Sequence, residues 1–167
     1  MITEFRLPGG NNMKFIAHRG LTTGPNKSLE NQPQQIRSAL AQGFDCEVDL
    51  WVFDNRFYLG HDGPQYNVTE EFINTPGLWI HAKSLETLLW LTTEATHLTF
   101  FTHNNDPQTI TSNHYIWTFP GERLTDRSIQ LMPEWNDPKL TSVDFNCYAI
   151  CSDFVEQLKS IAPTVQT

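Results

Sequence analysis

Two acidic residues, Glu47 and Asp49, sit in the apolar run Cys46–Val52 with only Val48 between them. In an extended strand alternate side chains share a face, so both carboxylates point the same way. On a buried face two such groups repel, and they must share a proton, pair with cations or bind a metal. Arg19 and Lys83 are the cations that a purely structural ion-pair network would use. Oxygen ligands alone suit Mg²⁺ or Ca²⁺ better than zinc. His18 and His61 follow separate strand-like runs, and near-neutral imidazoles on opposite sides of a phosphorus centre can serve as base and acid. Arg19 has the planar fork to clamp a phosphate oxygen, and Gly20 beside it lets backbone approach closely. His81 and Lys83 flank Ala82 at the end of another apolar run. His97 and His114 read as hydrogen-bonded structural residues.

Those side chains are far apart in the chain, so the elements that carry them must converge. Apolar or alternating runs at Lys14–Ala17, Cys46–Val52, Leu78–Ala82, Leu98–Thr102, Tyr115–Phe119, Ser128–Met132 and Tyr148–Cys151 read as core strands, with a shorter run at Phe57–Gly60. Leu29, Ile36, Leu40 and Phe44 have helical spacing within Ser28–Gly43, which Gly43 can terminate. Ser84 caps a second helix, Ser84–Leu91, with Leu85, Leu88 and Leu89 as its apolar face. A third helix, Phe154–Ile161, would be opened by Ser152 or Asp153. Strand and helix alternate, and this number of strands favours an α/β barrel with the site at the C-terminal strand ends. Asn104–Asn113 and Pro120–Arg127 are too short for crossover helices, so the expectation is a reduced TIM-like (β/α) barrel with some crossovers shortened or missing.

The totals narrow the partners. The 167 residues have the length of one domain, and the formal charge of −8 would repel a polyanion, which argues against nucleic acid. No run is long and apolar enough for a membrane span and no signal peptide is recognisable, so a cytoplasmic protein without membrane insertion is expected. The three cysteines form no CxxC pair and predict no disulfide framework. Residues 1–12, rich in Gly, Pro and Asn, read as a leader ahead of a single domain at 13–167. A barrel lacking outer helices would expose apolar wall, which a homo-oligomer could cover.

Phe15-Ile-Ala-His-Arg-Gly20, Leu29-Glu-Asn31, Ala41-Gln-Gly43-Phe-Asp, Cys46-Glu-Val-Asp-Leu50 and Gly60-His-Asp62, in that order and spacing, resemble the glycerophosphodiester phosphodiesterase family of the phospholipase C-like superfamily. The resemblance covers about residues 14 to 83 and, more loosely, Tyr148–Asp153, which looks like the last barrel strand. It implies hydrolysis of a small phosphodiester, with His18 and His61 as general acid and base, Arg19 on the phosphate and a divalent cation on Glu47 and Asp49. Glu30 of the Glu-Asn motif would either orient Arg19 or reach the metal. Where the family has Glu-x-Lys, this chain has His81-Ala-Lys83. His81 then serves as third metal ligand, shifting the preference toward Mn²⁺; or it bonds substrate while water fills the shell; or the metal has been lost.

The second half follows the family pattern poorly, as a small divergent member would. Lys83 and His103 are weaker candidates for contacts with substrate or phosphate, and Glu134 is either a pocket residue or a solvated loop residue. Trp117 and Trp135 can stack on a ring-bearing alcohol, although buried aromatics more often fill a core. Two further readings compete with the hydrolase: a non-catalytic barrel that binds a phosphorylated ligand, and a lyase that stops at a cyclic phosphate.

Overall fold

The computed structural model describes residues 13–163, so the leader expected at 1–12 lies outside the described residues. Their order is β1 (Lys14–Ala17), α1 (Pro33–Ala41), β2 (Asp45–Phe53), β3 (Arg56–Leu59), β4 (Tyr66–Val68), α2 (Glu70–Ile73), β5 (Leu78–Ala82), α3 (Leu85–Thr93), β6 (Phe100–Phe101), β7 (Gln108–Ile110), β8 (Ile116–Thr118), β9 (Ser128–Leu131), β10 (Ala149–Ser152) and α4 (Val155–Ile161). All ten strands join one mixed sheet. Its parallel part runs β6-β5-β2-β1-β10-β9-β8. β3 and β4 extend β2 as an antiparallel meander, and β7 pairs antiparallel with β8.

Parallel strands bury both faces, and β5, Leu-Trp-Ile-His-Ala, is buried at every position. On one face Cys46, Val48, Leu50, Leu78 and Ile80 pack with Ile36 and Ala39 of α1 and Leu91 of α3. On the other, Ile16, Trp79, Phe101, Trp117, Ile129, Leu131 and Cys151 form a second core. The sheet curls around this second core. Trp79 of β5 lies 6.4 Å from Trp117 of β8, and Phe101 of β6 stacks on Trp117 at 4.2 Å, although β6 and β8 are the two ends of the parallel ladder. Those ends share no ladder; Ser112 N–H donates to Phe100 O across the gap at 2.8 Å. Mixed α/β architecture with missing crossover helices thus agrees with the expectation, since no helix joins β6 to β8 or β8 to β9.

Several local expectations are corrected. The first helix begins at Pro33 rather than Ser28, because a residue before proline is driven out of the helical region and Gln32 has φ −67°, ψ 128°. The apolar face of α3 is turned: Leu85 and Leu89 are exposed while Thr87 and Leu91 are buried. Ser84 does cap it, its Oγ accepting from Thr87 N. Neither Ser152 nor Asp153 is the N-cap of α4, which is Phe154 and makes no side-chain cap bond; Ser152 Oγ accepts from Phe154 N at 2.9 Å just ahead of the helix, while Asp153 bonds His18. The sequence reading also missed the short β4, α2 and β7.

Candidate active site

The apolar second core ends in polar groups toward the C-terminal ends of its strands. Trp79 is followed on its face by His81, Phe101 by His103 and Cys151 by Asp153, while Glu47 and Asp49 project from β2. Ladder register places Glu47 beside Trp79 and Asp49 beside His81. Glu47, Asp49 and His81 are all buried, and each offers one ligand atom within 4.8 Å of the others'.

Asp49 is the hub. Its Oδ2 accepts from Asn31 Nδ2 at 2.9 Å, and its backbone N–H donates to Asn31 Oδ1 at 2.9 Å. Arg19 Nε stands 3.2 Å and His61 Nδ1 3.4 Å from Oδ2, while His81 Nδ1 stands 3.1 Å and Lys83 Nζ 3.4 Å from Oδ1. Burial works to raise the pKa of Asp49, but the His61 and His81 imidazoles and the Arg19 charge outweigh it and hold the carboxyl well below its usual range. Glu47 moves the opposite way, raised by burial and by the charge of Asp49. The two carboxylates are therefore inequivalent: Asp49 holds its charge and Glu47 resists its own.

The strand that brings His61 is not a parallel one. β2 overruns the ladder to Phe53, and β3 returns antiparallel with Leu59 opposite Leu50, so that Gly60 N bonds Asp49 O and His61 arrives beside the carboxylates. Gly60 has φ +152°, and a Cβ there would stand 2.1 Å from Gly63 O. Gly20 is similarly constrained, with φ +80° and Ile36 backbone 3.2 Å from a built Cβ. This close packing fixes the His18-Arg19-Gly20 turn against α1. Arg19 has φ 51°, and its N–H donates to Glu47 Oε2 at 3.1 Å.

The guanidinium of Arg19 is held from two sides: NH1 donates to Glu30 Oε2 at 2.9 Å, and NH2 lies 3.4 Å from His61 Nε2. Of the two roles open to Glu30, its contact is thus the orienting one. An arginine nitrogen can only donate, so His61 Nε2 is the acceptor in this arrangement. His18 makes a different contact, its Nδ1 lying 2.8 Å from Asp153 Oδ1. Burial opposes protonation of His18, but the Asp153 hydrogen bond and the charge of Glu47 prevail and raise its pKa above the usual imidazole value.

Sequence reasoning missed the residue that orients His18. Asp153 was expected as a helix cap, but it bonds His18 across 135 residues of chain. Glu134 is not a solvated loop residue: it is 8% exposed, and its Oε1 accepts from Ser152 Oγ at 2.8 Å and from Asp153 N at 3.0 Å. Burial raises its pKa. The only available signal was the Cys-Ser-Asp153 ending of a strand, where a barrel positions functional groups. His103 stacks on His81 at 4.7 Å and 11°, which brings it to the edge of the cluster. Trp117 is core and Trp135 is 57% exposed. His97 bonds Asn74 Oδ1 at 2.7 Å and is structural as expected.

A divalent cation fits this site on the chemistry of its donors. Asp49 Oδ1 is buried without a well-aligned hydrogen bond, Glu47 supplies a second carboxylate, and an imidazole faces both. A metal would need a neutral imidazole here, and Nδ1 is the ring atom of His81 that faces both carboxylates. Among the described residues no helix is long and apolar enough to cross a membrane. Comparison with family models, curated proteins and solved structures finds no match.

Proposed function

We propose that this chain is a metal-dependent phosphodiesterase on a reduced TIM-like barrel, acting on a small phosphodiester of the glycerophosphodiester kind. The observation that carries the reading is the continuity of the cluster: Glu47, Asp49 and His81 lie together, Asp49 also meets Arg19 and His61, and His18, next to Arg19 in the chain, is held by its own carboxylate, Asp153. Mg²⁺ or Ca²⁺ suits the carboxylates, and the imidazole of His81 extends the choice to Mn²⁺. The cation, when bound, supplies charge neutralisation at the phosphoryl oxygens and lowers the pKa of an attacking hydroxyl.

The remaining work falls to side chains of this chain. Asp153 accepts the Nδ1 proton of His18, which leaves Nε2 as the atom that exchanges a proton with substrate, and the Asp153 contact favours the charged form of the ring. His18 is accordingly the general acid for the leaving alcohol. His61, accepting at Nε2 and half-open to solvent, is the general base. Arg19, braced by Glu30, clamps a phosphoryl oxygen. A cavity of about 550 Å³ lined by Arg19, Lys27, Glu30, His61 and Gln65 opens beside these groups and has room for one polar ester arm.

A second reading has one observation in its favour. Asp49 already faces Arg19, Lys83 and two imidazoles, and a site so neutralised can bind phosphate without a metal. Divalent-dependent turnover of bis(p-nitrophenyl) phosphate, lost in folded His18→Ala and Glu47→Ala variants, supports the phosphodiesterase. Phosphate binding without turnover under Mg²⁺, Ca²⁺ or Mn²⁺ supports the binder. Phosphorus NMR of a glycerophosphodiester digest then separates a linear monoester from a cyclic product.

A further inference from the structure

Beside the carboxylate cluster, four rings, none of them lining the polar cavity, form a row. His81 stacks on His103 at 4.7 Å, His103 meets Phe119 edge to face at 6.0 Å, and Phe119 meets Trp135 in the same manner at 6.0 Å. They follow or end four strands, β5, β6, β8 and β9, all parallel in the sheet, so the row lies along one rim. Its inner end is a residue of the proposed cation site and its outer end is Trp135.

The backbone that carries Trp135 is anchored on both sides. Trp135 closes a 3-10 turn, Pro133–Trp135, entered through left-handed Met132 with φ 42°. Its neighbour Glu134 is buried and bonded to Ser152 and Asp153. Of five tryptophans it is the exposed one, a large apolar surface kept in water by a fixed backbone. A ring so presented is pre-organised for a ligand, because little conformational freedom remains to be lost on binding. His103 adds a polar group: its Nδ1 lies 3.1 Å from the Asn104 carbonyl, which can only accept, so Nδ1 carries the proton and Nε2 is left to meet a hydroxyl.

We infer that this row is the subsite for one ester arm of the substrate and that the arm carries a saturated, hydroxylated ring, a sugar or cyclic polyol. The C–H face of such a ring packs on Phe119 and Trp135 while a hydroxyl bonds His103 Nε2. The inference deepens the phosphodiesterase reading and rests on it: the phosphorus sits at the Glu47–Asp49–His81 cluster, one arm enters the Arg19–Lys27 cavity, and the other lies on the rings.

The test compares two diesters that share a glycerol arm, glycerophosphoinositol and glycerophosphoethanol, in the metal-loaded protein. Wild type is expected to favour the inositol diester in kcat/KM by about tenfold, the scale of one or two aromatic packing contacts. That ratio falls to within about twofold of one in Trp135→Ala and in Phe119→Leu, which serves if the first variant does not fold. A wild-type ratio near one, or a ratio that survives both substitutions, overturns the subsite and leaves the phosphodiesterase reading standing. If neither diester turns over, saturation-transfer NMR from the protein's aromatic protons to the ring protons of inositol 1-phosphate decides. Transfer present in wild type and lost in Trp135→Ala supports the subsite although the hydrolase reading has failed; no transfer in wild type overturns it.

Discussion

The half of the sheet built from β1, β2 and β5 and the half built from β6, β8, β9 and β10 do different jobs by different means. The first is backed by α1 and α3, contains the nine-residue β2, and holds the charged groups of the site: Arg19, Glu47, Asp49, His61, His81 and Lys83. The second has strands of two to four residues and, before α4, no α-helix. It contributes rings to the enclosed core and the two carboxylates, Glu134 and Asp153, that place His18. Desolvating a charge cluster requires thick packing around it, whereas orienting one imidazole needs only a short strand end with a satisfied backbone. The helices are spent where burial must be deepest.

The largest effect should come from the charged half. Asp49→Ala leaves the Arg19, Lys83 and His81 groups without their common counter-charge, so unfolding in urea should show a loss of about 3–5 kcal/mol. A loss under about 1 kcal/mol would mean that solvent already screens the cluster. Stabilisation by divalent cations in thermal melts should disappear in the same variant.

Asp153→Asn asks whether the helix-poor half is as decisive for chemistry as the other is for charge. With His18 no longer held in one tautomer, kcat should fall by about 10²–10⁴-fold while the fold persists by circular dichroism. The pH dependence has a definite sign. A histidine whose folded pKa is raised contributes stability that is fully present below about pH 6.5 and is lost as pH rises through the folded value. Wild type should therefore lose more stability than Asp153→Asn between pH 6 and 9. Parallel curves would show that the Asp153 contact does not set the titration of His18.

Glu134 sharpens the same contrast at smaller scale. Glu134→Ala removes the acceptor of Asp153 N and Ser152 Oγ and should cost about 1–3 kcal/mol, while Glu134→Gln, which keeps an acceptor oxygen, should cost less in the same denaturation experiment. Equal losses would assign the effect to packing. The smallest effect belongs to the outer side of α3: Leu85→Lys, at an exposed position, should change stability by no more than about 0.5 kcal/mol. A larger loss would reveal that the helix-backed half has a covered surface there.

What could be read from the chain is concentrated in residues 14 to 83. There the site residues lie at the ends of apolar runs, and local rules suffice: alternation puts Glu47 and Asp49 on one face, and Gly20 lets the backbone of the His-Arg-Gly turn come close to α1. The boundary errors were also local, at Pro33 and on α3, where a helical period alone did not say which face meets the sheet. The partners of Asp153 and Glu134, and the contacts that join His81, His103, Phe119 and Trp135 into a row, were out of reach for a different reason. Their roles depend on which strand ends become neighbours when the sheet curls, and a contact such as His18 with Asp153 joins the first parallel strand to the last. The amino-acid sequence by itself determined the two carboxylates, the two imidazoles and the strands that bear them, because side-chain direction along a strand is a property of the backbone. Only the tertiary structure decided which carboxylate has its pKa lowered, which imidazole is paired with a carboxylate of its own and which aromatic is left facing water, because burial and proximity arise when distant segments pack.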